Sequence, residues 1–275
     1  MRPRYASYLR AFSVAALCLC LATPRLAAAQ ELLTNGGFET GDLSGWTVAN
    51  RPLGAQYDPA VPATGDFVVD DNADTLTPLS GLSTLGPKSG NFYALSDMTA
   101  QGTHALLQSF TVPLAATSVL LSFDMYVYDW YGAGAAIDPS GLDHTTGGAN
   151  RPNQHARVDL LSALAGSFDT NAGSVLSNFY LGVDPESAQN PPQAPFYRNY
   201  LFDLTGVALP GQTYQLRFGE VDNQFVINQA VDNVSVRTAL APVQVIPEPG
   251  TWALLLAAGV PLAGVRLGRG KAARR

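Results

Sequence analysis

Three rings at every second position, Tyr126, Tyr128 and Trp130, are the side chains best suited to recognising a ligand. In an extended strand this spacing puts them on one face. A row of rings there can stack on the apolar faces of pyranose sugars while neighbouring carboxylates take the hydroxyls. The same row can instead pack beneath a covering loop, for which 131–155 is the candidate. Phe196 and Tyr197, in a Pro-rich loop, read as local packing. Acid–base chemistry has less to work with. Of the three histidines, His104, His144 and His155, His144 follows Asp143 directly, which sets a carboxylate beside an imidazole. Their spacing fits no H-E-x-x-H motif, and they read as solvated loop residues. Aspartates are plentiful, but a single sequence does not select two at glycosidase distance, and no G-x-S-x-G elbow is present. The chain therefore reads as non-enzymatic, with a glycan-active hydrolase as the catalytic alternative.

The charges of the 275-residue chain are unevenly placed, and its formal net charge of −6 conceals this. Between residues 30 and 246 there are seven basic and 21 acidic side chains, a net of −14. Such a segment repels nucleic acid and anionic lipid and tolerates divalent cations. Both cysteines, Cys18 and Cys20, lie in an apolar N-terminal stretch, so the segment after it has no thiol for a disulfide, a thiolate metal site or a nucleophile. Three arginines within residues 1–10, an apolar run from Ala11 to Ala22 and the small-residue stretch Leu26-Ala27-Ala28-Ala29 form a signal peptide over 1–29.

The far end holds a linker, 241–246, then Pro247-Glu248-Pro249, an apolar run from Trp252 to Val265 and a basic tail. The prolines keep the junction extended and open to a processing enzyme. The apolar run predicts a short hydrophobic helix, with Trp252 at one membrane interface and the basic tail holding the other end in the cytoplasm. Over residues 247–275 this order of motifs resembles the PEP-CTERM sorting signal. The resemblance implies an exosortase-type partner that recognises Pro247, Glu248 and Pro249. It also implies transient anchoring in the inner membrane, and a destination at the cell surface or in an exopolysaccharide matrix.

These features must be positioned by residues 30–240, where period-two runs are separated by Gly, Pro, Asn and Asp clusters. Val119, Leu121, Phe123, Met125 and Val127 alternate, as do Tyr200, Phe202 and Leu204, and Tyr214, Leu216 and Phe218, while Val234 and Val236 close the last strand. This pattern predicts an all-β, antiparallel sandwich with polar loops over 51–90 and 131–155. Asp232 shares the parity of Val234 and Val236 and is expected to point inward, where an unpaired carboxylate is costly.

The opening stretch Leu33 to Trp46, Ser89 to Leu95, Gln108 to Val112 and the closing Ala230 to Val236 occur in an order that resembles the galactose-binding-like jelly rolls, which include many carbohydrate-binding modules. The resemblance implies a jelly-roll β-sandwich that binds extracellular polysaccharide. It also implies a structural calcium held by Glu39 and Asp232, with main-chain oxygens near Gly37 and Lys88 or Ser89. Several hard oxygens joining the first and last strands would suit a domain without disulfides. The alternative is a calcium-dependent matrix protein without sugar specificity.

Overall fold

The structure, a computed structural model, describes residues 29–51, 64–71, 76–145, 151–224 and 226–241. The signal segment before Ala29, and Pro247, Glu248 and Pro249 with the apolar run behind them, lie outside the described residues. All described residues belong to one compact unit, Leu26–Ala241.

Eleven strands are formed among the described residues. They are β1 (Ala29–Glu31), β2 (Thr47–Asn50), β3 (Asp66–Asp71), β4 (Phe92–Asp97), β5 (Gly102–Thr111), β6 (Ala116–Asp129), β7 (Gln154–Ser162), β8 (Val175–Gly182), β9 (Arg198–Asp203), β10 (Thr213–Asp222) and β11 (Ile227–Leu240). One sheet has the order β3-β4-β11-β6-β9, with β1 also paired to β11, and the other has the order β2-β5-β10-β7-β8. Every pairing is antiparallel. Within these sheets, β4-β11-β6-β9 against β5-β10-β7-β8 is the strand order of a jelly roll, the fold that the resemblance implies.

The alternation of β6 sorts its residues as expected: Val119, Leu121, Phe123, Met125 and Val127 are all buried in the core between the sheets. Phe123 stacks on Tyr200 at 4.9 Å and meets Phe218 edge-on at 5.3 Å. Each such ring pair adds about 0.5–1.5 kcal/mol beyond the burial of its area. The opening stretch 32–46 folds back on the last strand. Gly36 is required there because a Cβ would lie 1.8 Å from the Val234 carbonyl, and the Val234 amide donates to the Gly36 carbonyl at 2.8 Å.

Two expectations are corrected. Residues 51–90 are not all loop, since Asp66–Asp71 forms β3, which lays Phe67 and Val69 against the core between acidic neighbours. Asp232 does not point into the core. The pairing of β11 with β6 shifts register between Asp232 and Ser235, where Asn233 takes a φ of +53°. This bulge flips the parity, so that Val231, Val234 and Val236 all face the core while Asp232 lies opposite Asp124 on the outer face.

Candidate functional site

Tyr126 and Tyr128 project from the outer face of the six-stranded sheet and join Tyr93, Leu95 and Ala230 in a second apolar cluster, with Trp130 and Tyr197 packed against it. They are not an open platform. Tyr126 is 2% exposed and Tyr128 9% exposed, and only Trp130 remains partly open. The cover is not the 131–155 loop but the segment 76–91, which runs along this face as a strap. Asp97 accepts the Leu79 amide (2.6 Å), the Ser80 amide (3.1 Å) and the Ser80 hydroxyl (2.5 Å), which ties down one end. In the middle, the Thr84 hydroxyl bonds both Tyr93 Oη and Tyr126 Oη, the latter at 3.0 Å. Tyr93 also donates to Asp70 Oδ2 at 2.5 Å. Tyr197 donates to the Gly86 carbonyl at 2.9 Å and sets its ring edge-on to Tyr126 at 5.0 Å. Burial pushes the Tyr126 phenol up to about 12 and raises those of Tyr93 and Tyr197 further, so all three stay neutral.

Trp130 closes this aromatic row at its open end. Its indole N–H donates to Asn228 Oδ1 at 2.6 Å, and its ring meets Tyr128 at 4.8 Å with the planes at 88°. The ring is therefore fixed at both its polar and its apolar side while part of its surface faces solvent. Tyr131 follows it, 60% exposed. Phe196 is packed locally, as expected, with the Arg198 guanidinium 4.3 Å above its ring.

The strap's other end meets Glu39 and Asp232. Asp232 is fully buried and accepts main-chain N–H from Ser89 (2.9 Å), Asn233 (2.6 Å) and Lys88. Burial raises its carboxyl to about 6, against the pull of those amides, and the nearby Asp124 adds to the rise. Glu39 accepts the amides of Asn91 (3.0 and 3.1 Å) and Phe92 (3.3 Å). It lies so close to Gly90, whose φ is +69°, that a Cβ there would be 2.1 Å from its Oε1. Both carboxylates thus reach one short stretch, 88–92, and each accepts main-chain N–H groups from it. Among the described residues no cluster of three or more His, Asp and Glu side chains could hold a metal, so main-chain oxygens would have to supply most of the coordination. Asp124 is the acidic neighbour that sequence reasoning missed. Its even position in β6, shared with Tyr126 and Tyr128, was the available signal.

The histidines are buried rather than solvated. His104 in β5 donates through Nε2 to the Thr64 carbonyl (3.0 Å) and pairs through Nδ1 with the Asn50 side-chain amide (2.8 Å). His155 lies in β7, and burial lowers both imidazoles to about 4. His144 pairs through Nδ1 with the Thr103 hydroxyl (2.9 Å). Asp143 turns instead to Arg51 (2.7 Å) and to the Thr145 amide and hydroxyl. The adjacent His144 and Asp143 are thus held by different partners.

Two further buried acids were not singled out from sequence. Asp159 on β7 accepts from Arg157 Nε and Nη2 (2.7 and 2.8 Å) and from Arg217 Nε and Nη2 (3.1 and 2.5 Å). Glu220 on β10 is sealed between the sheets and lies opposite His104 in register. Its carboxyl is raised well above the ordinary range, chiefly by burial and then by Asp222.

No protein-family model and no curated protein matches this sequence. Among solved structures it is similar to the enzymatically active domain of tailspike protein 4 of bacteriophage CBA120, at 11% identity and a TM-score of 0.39, over 77% of this chain and 21% of the other. The chain thus spans about a fifth of that tailspike's length. It is also similar to TmCBM61 in complex with β-1,4-galactotriose, at 12% identity and a TM-score of 0.39, over 75% of this chain and 97% of the other. A third similar structure is the K1 cleaved adhesin domain of Lys-gingipain from Porphyromonas gingivalis W83. Its identity is 13% and its TM-score 0.41, over 76% of this chain and 97% of the other. At these identities and scores the likeness carries no argument about ligand or activity.

Proposed function

We propose that this is an exported protein, delivered to the cell surface or extracellular matrix through its C-terminal segment by an exosortase-type enzyme, and that its sandwich is a non-catalytic module binding extracellular polysaccharide. The observation that carries the binding reading is Trp130. It is a partly open indole held by Asn228 and Tyr128 at the rim of a buried aromatic cluster, with exposed Tyr131 next to it. A ring fixed in advance loses little freedom when a pyranose stacks on it. Of the three rings Tyr126, Tyr128 and Trp130, the burial of the tyrosines makes them supports and Trp130 the contact. Retention on a panel of insoluble polysaccharides tests this. Binding should be lost in Trp130→Ala and kept in Tyr126→Phe. Absence of retention on every glycan refutes it.

Calcium belongs to the same proposal, with Glu39 and Asp232 as its side-chain ligands and a purely stabilising role. A chelator should lower the melting temperature of the wild type and leave that of Asp232→Asn unchanged. The effect should weaken in acid, where protons compete with calcium for the Asp232 carboxylate. A wild-type melting temperature insensitive to chelation removes calcium from the proposal. The net charge of −14 over residues 30–246 favours a second reading, a calcium-bridged matrix protein. Calcium-dependent self-association without glycan retention would select it.

A further inference from the structure

The two ends of the sandwich differ in chemistry. At one end lie residues 130–145 and 151–153 with the polar groups Asp129, Asp138, Asp143 and Arg51, held by ion pairs and by hydrogen bonds from main-chain amides. At the other end three loops converge. They are 112–115 between β5 and β6, the start (163–166) of the connection 163–174 between β7 and β8, whose remainder turns back over the outer face and sets Phe168 5.7 Å from the Arg51 guanidinium, and 204–212 between β9 and β10. Their proximity follows from register and hydrogen bonds: Tyr214 pairs with both Phe110 and Ser162, the Gly211 amide donates to the Val112 carbonyl at 2.8 Å, and Gln215 reaches the carbonyls of Ala163 and Ala165. Each loop exposes a leucine: Leu114 is 86% exposed, Leu164 98% and Leu209 53%. Residues 109–119, 162–177 and 203–213 contain no lysine or arginine. Their two acids are engaged within their own loops, Asp169 with Gly166 and Ser174, and Asp203 with Thr205.

The chain leaves the sandwich at this same end. The Ala241 amide donates to the Ala115 carbonyl at 2.8 Å, beside Leu114, and β1 pairs Ala29 with Ala239. Ten residues beyond Ala241 begins the apolar run from Trp252 to Val265. The ten residues 242–251 span at most about 35 Å when fully extended. While that run is in a bilayer, this leucine-tipped end, without lysine or arginine in its loops, is the part of the sandwich within shortest reach of lipid.

We infer that Leu114, Leu164 and Leu209 form a lipid-contacting end that dips into the bilayer interface and sets the polar end outward. The inference rests on the membrane anchoring in the proposed function. With no basic residue in the loops, contact is by apolar insertion and does not require anionic lipid.

The full chain, with Cys18→Ser and Cys20→Ser, offers a thiol-free background for single reporters. An environment-sensitive dye is attached at Leu114→Cys, Leu164→Cys or Leu209→Cys, and at Ile137→Cys on the opposite end as control. Vesicles of pure phosphatidylcholine and vesicles with added phosphatidylglycerol are the probes, and circular dichroism checks the fold of each variant. Emission should shift to the blue and iodide quenching should fall severalfold at 114, 164 and 209, but not at 137, equally with both lipids. Flotation with vesicles but no protection at the three positions overturns the inference and spares the anchoring reading. Failure to float at all overturns both. Protection that appears without lipid and grows with protein concentration assigns the leucines to a second copy of the chain, and equal protection at 137 refutes the orientation.

Discussion

Replacing Asp159 with asparagine should be among the most damaging single changes on the outer face of the second sheet. This carboxylate accepts two hydrogen bonds from each of Arg157 and Arg217, plus one from Asn178 Nδ2 at 2.8 Å. Asp159 and Arg217 are both fully buried. Burial alone would raise the carboxyl, but the hydrogen bond and charge of Arg157 and the charge of Arg217 outweigh it and hold the group below its ordinary range. Removing the charge leaves two buried guanidiniums side by side, with only the more distant Asp169 to offset Arg217. Breaking a buried pair in this way costs about 3–5 kcal/mol. For a domain of this size that corresponds to roughly 6–20 °C in melting temperature. Urea unfolding at pH 7, followed by circular dichroism, measures the loss directly. Because the native carboxyl titrates low, its stabilisation is complete at neutral pH and fades only as pH falls below about 4. An apolar triple variant, Arg157→Met with Asp159→Leu and Arg217→Met, should recover most of the loss, since no charge then remains buried. A cost for Asp159→Asn below about 1 kcal/mol, the range of exposed ion pairs, would refute the argument.

Two further outcomes are expected. His104 titrates at about 4 in the folded state, because of burial, against an ordinary 6.5. The fold therefore binds fewer protons than the unfolded chain and should lose about 3 kcal/mol as pH falls from about 6.5 to about 4. Comparing unfolding free energies of wild type and His104→Gln at pH 7 and pH 4 should show a shallower acid loss in the variant, and identical slopes would refute it. Gly36→Ala would drive a Cβ against the Val234 carbonyl, a backbone atom that cannot turn aside. It should lower stability by about 2 kcal/mol or more, read from the melting temperature. An unchanged melting temperature would show that the opening stretch does not bind the last strand tightly.

The strands that fill the core were legible because their chemistry is one-sided. Val119 to Val127 alternate strictly, and one face of β6 is buried between the sheets. β3 was hidden because Asp66, Asp70 and Asp71 surround Phe67 and Val69, and an edge strand with few apolar positions looks like a polar loop. The misplacement of Asp232 has a sharper cause. A single bulge at Asn233 reverses the face of every residue before it, and period-two counting does not register an inserted residue. The aromatic row was legible as a row, but its exposure was not. The strap covering it is rich in Ser, Gly and Leu and carries no periodic signal. Its attachment depends on single side chains, Asp97, Tyr126 and Asp232, that meet it across long sequence separations. His104 and His155 were misread for a related reason, because a residue at a strand's polar end is buried by whatever loop closes over that end.

The position of the last two strands has a consequence for when this protein can fold. β10 lies between β5 and β7, and β11 lies between β4 and β6, so the strands made last are central to their sheets. Until residues 213–240 have been synthesised, β4 and β6 in one sheet and β5 and β7 in the other lack the neighbour that joins them. Contacts this distant in sequence also form slowly. A chain emerging from the ribosome is therefore left open through nearly all of its synthesis, which would suit the proposed export. Each sheet becomes continuous only when its final strand arrives, immediately before the segment that begins at residue 242.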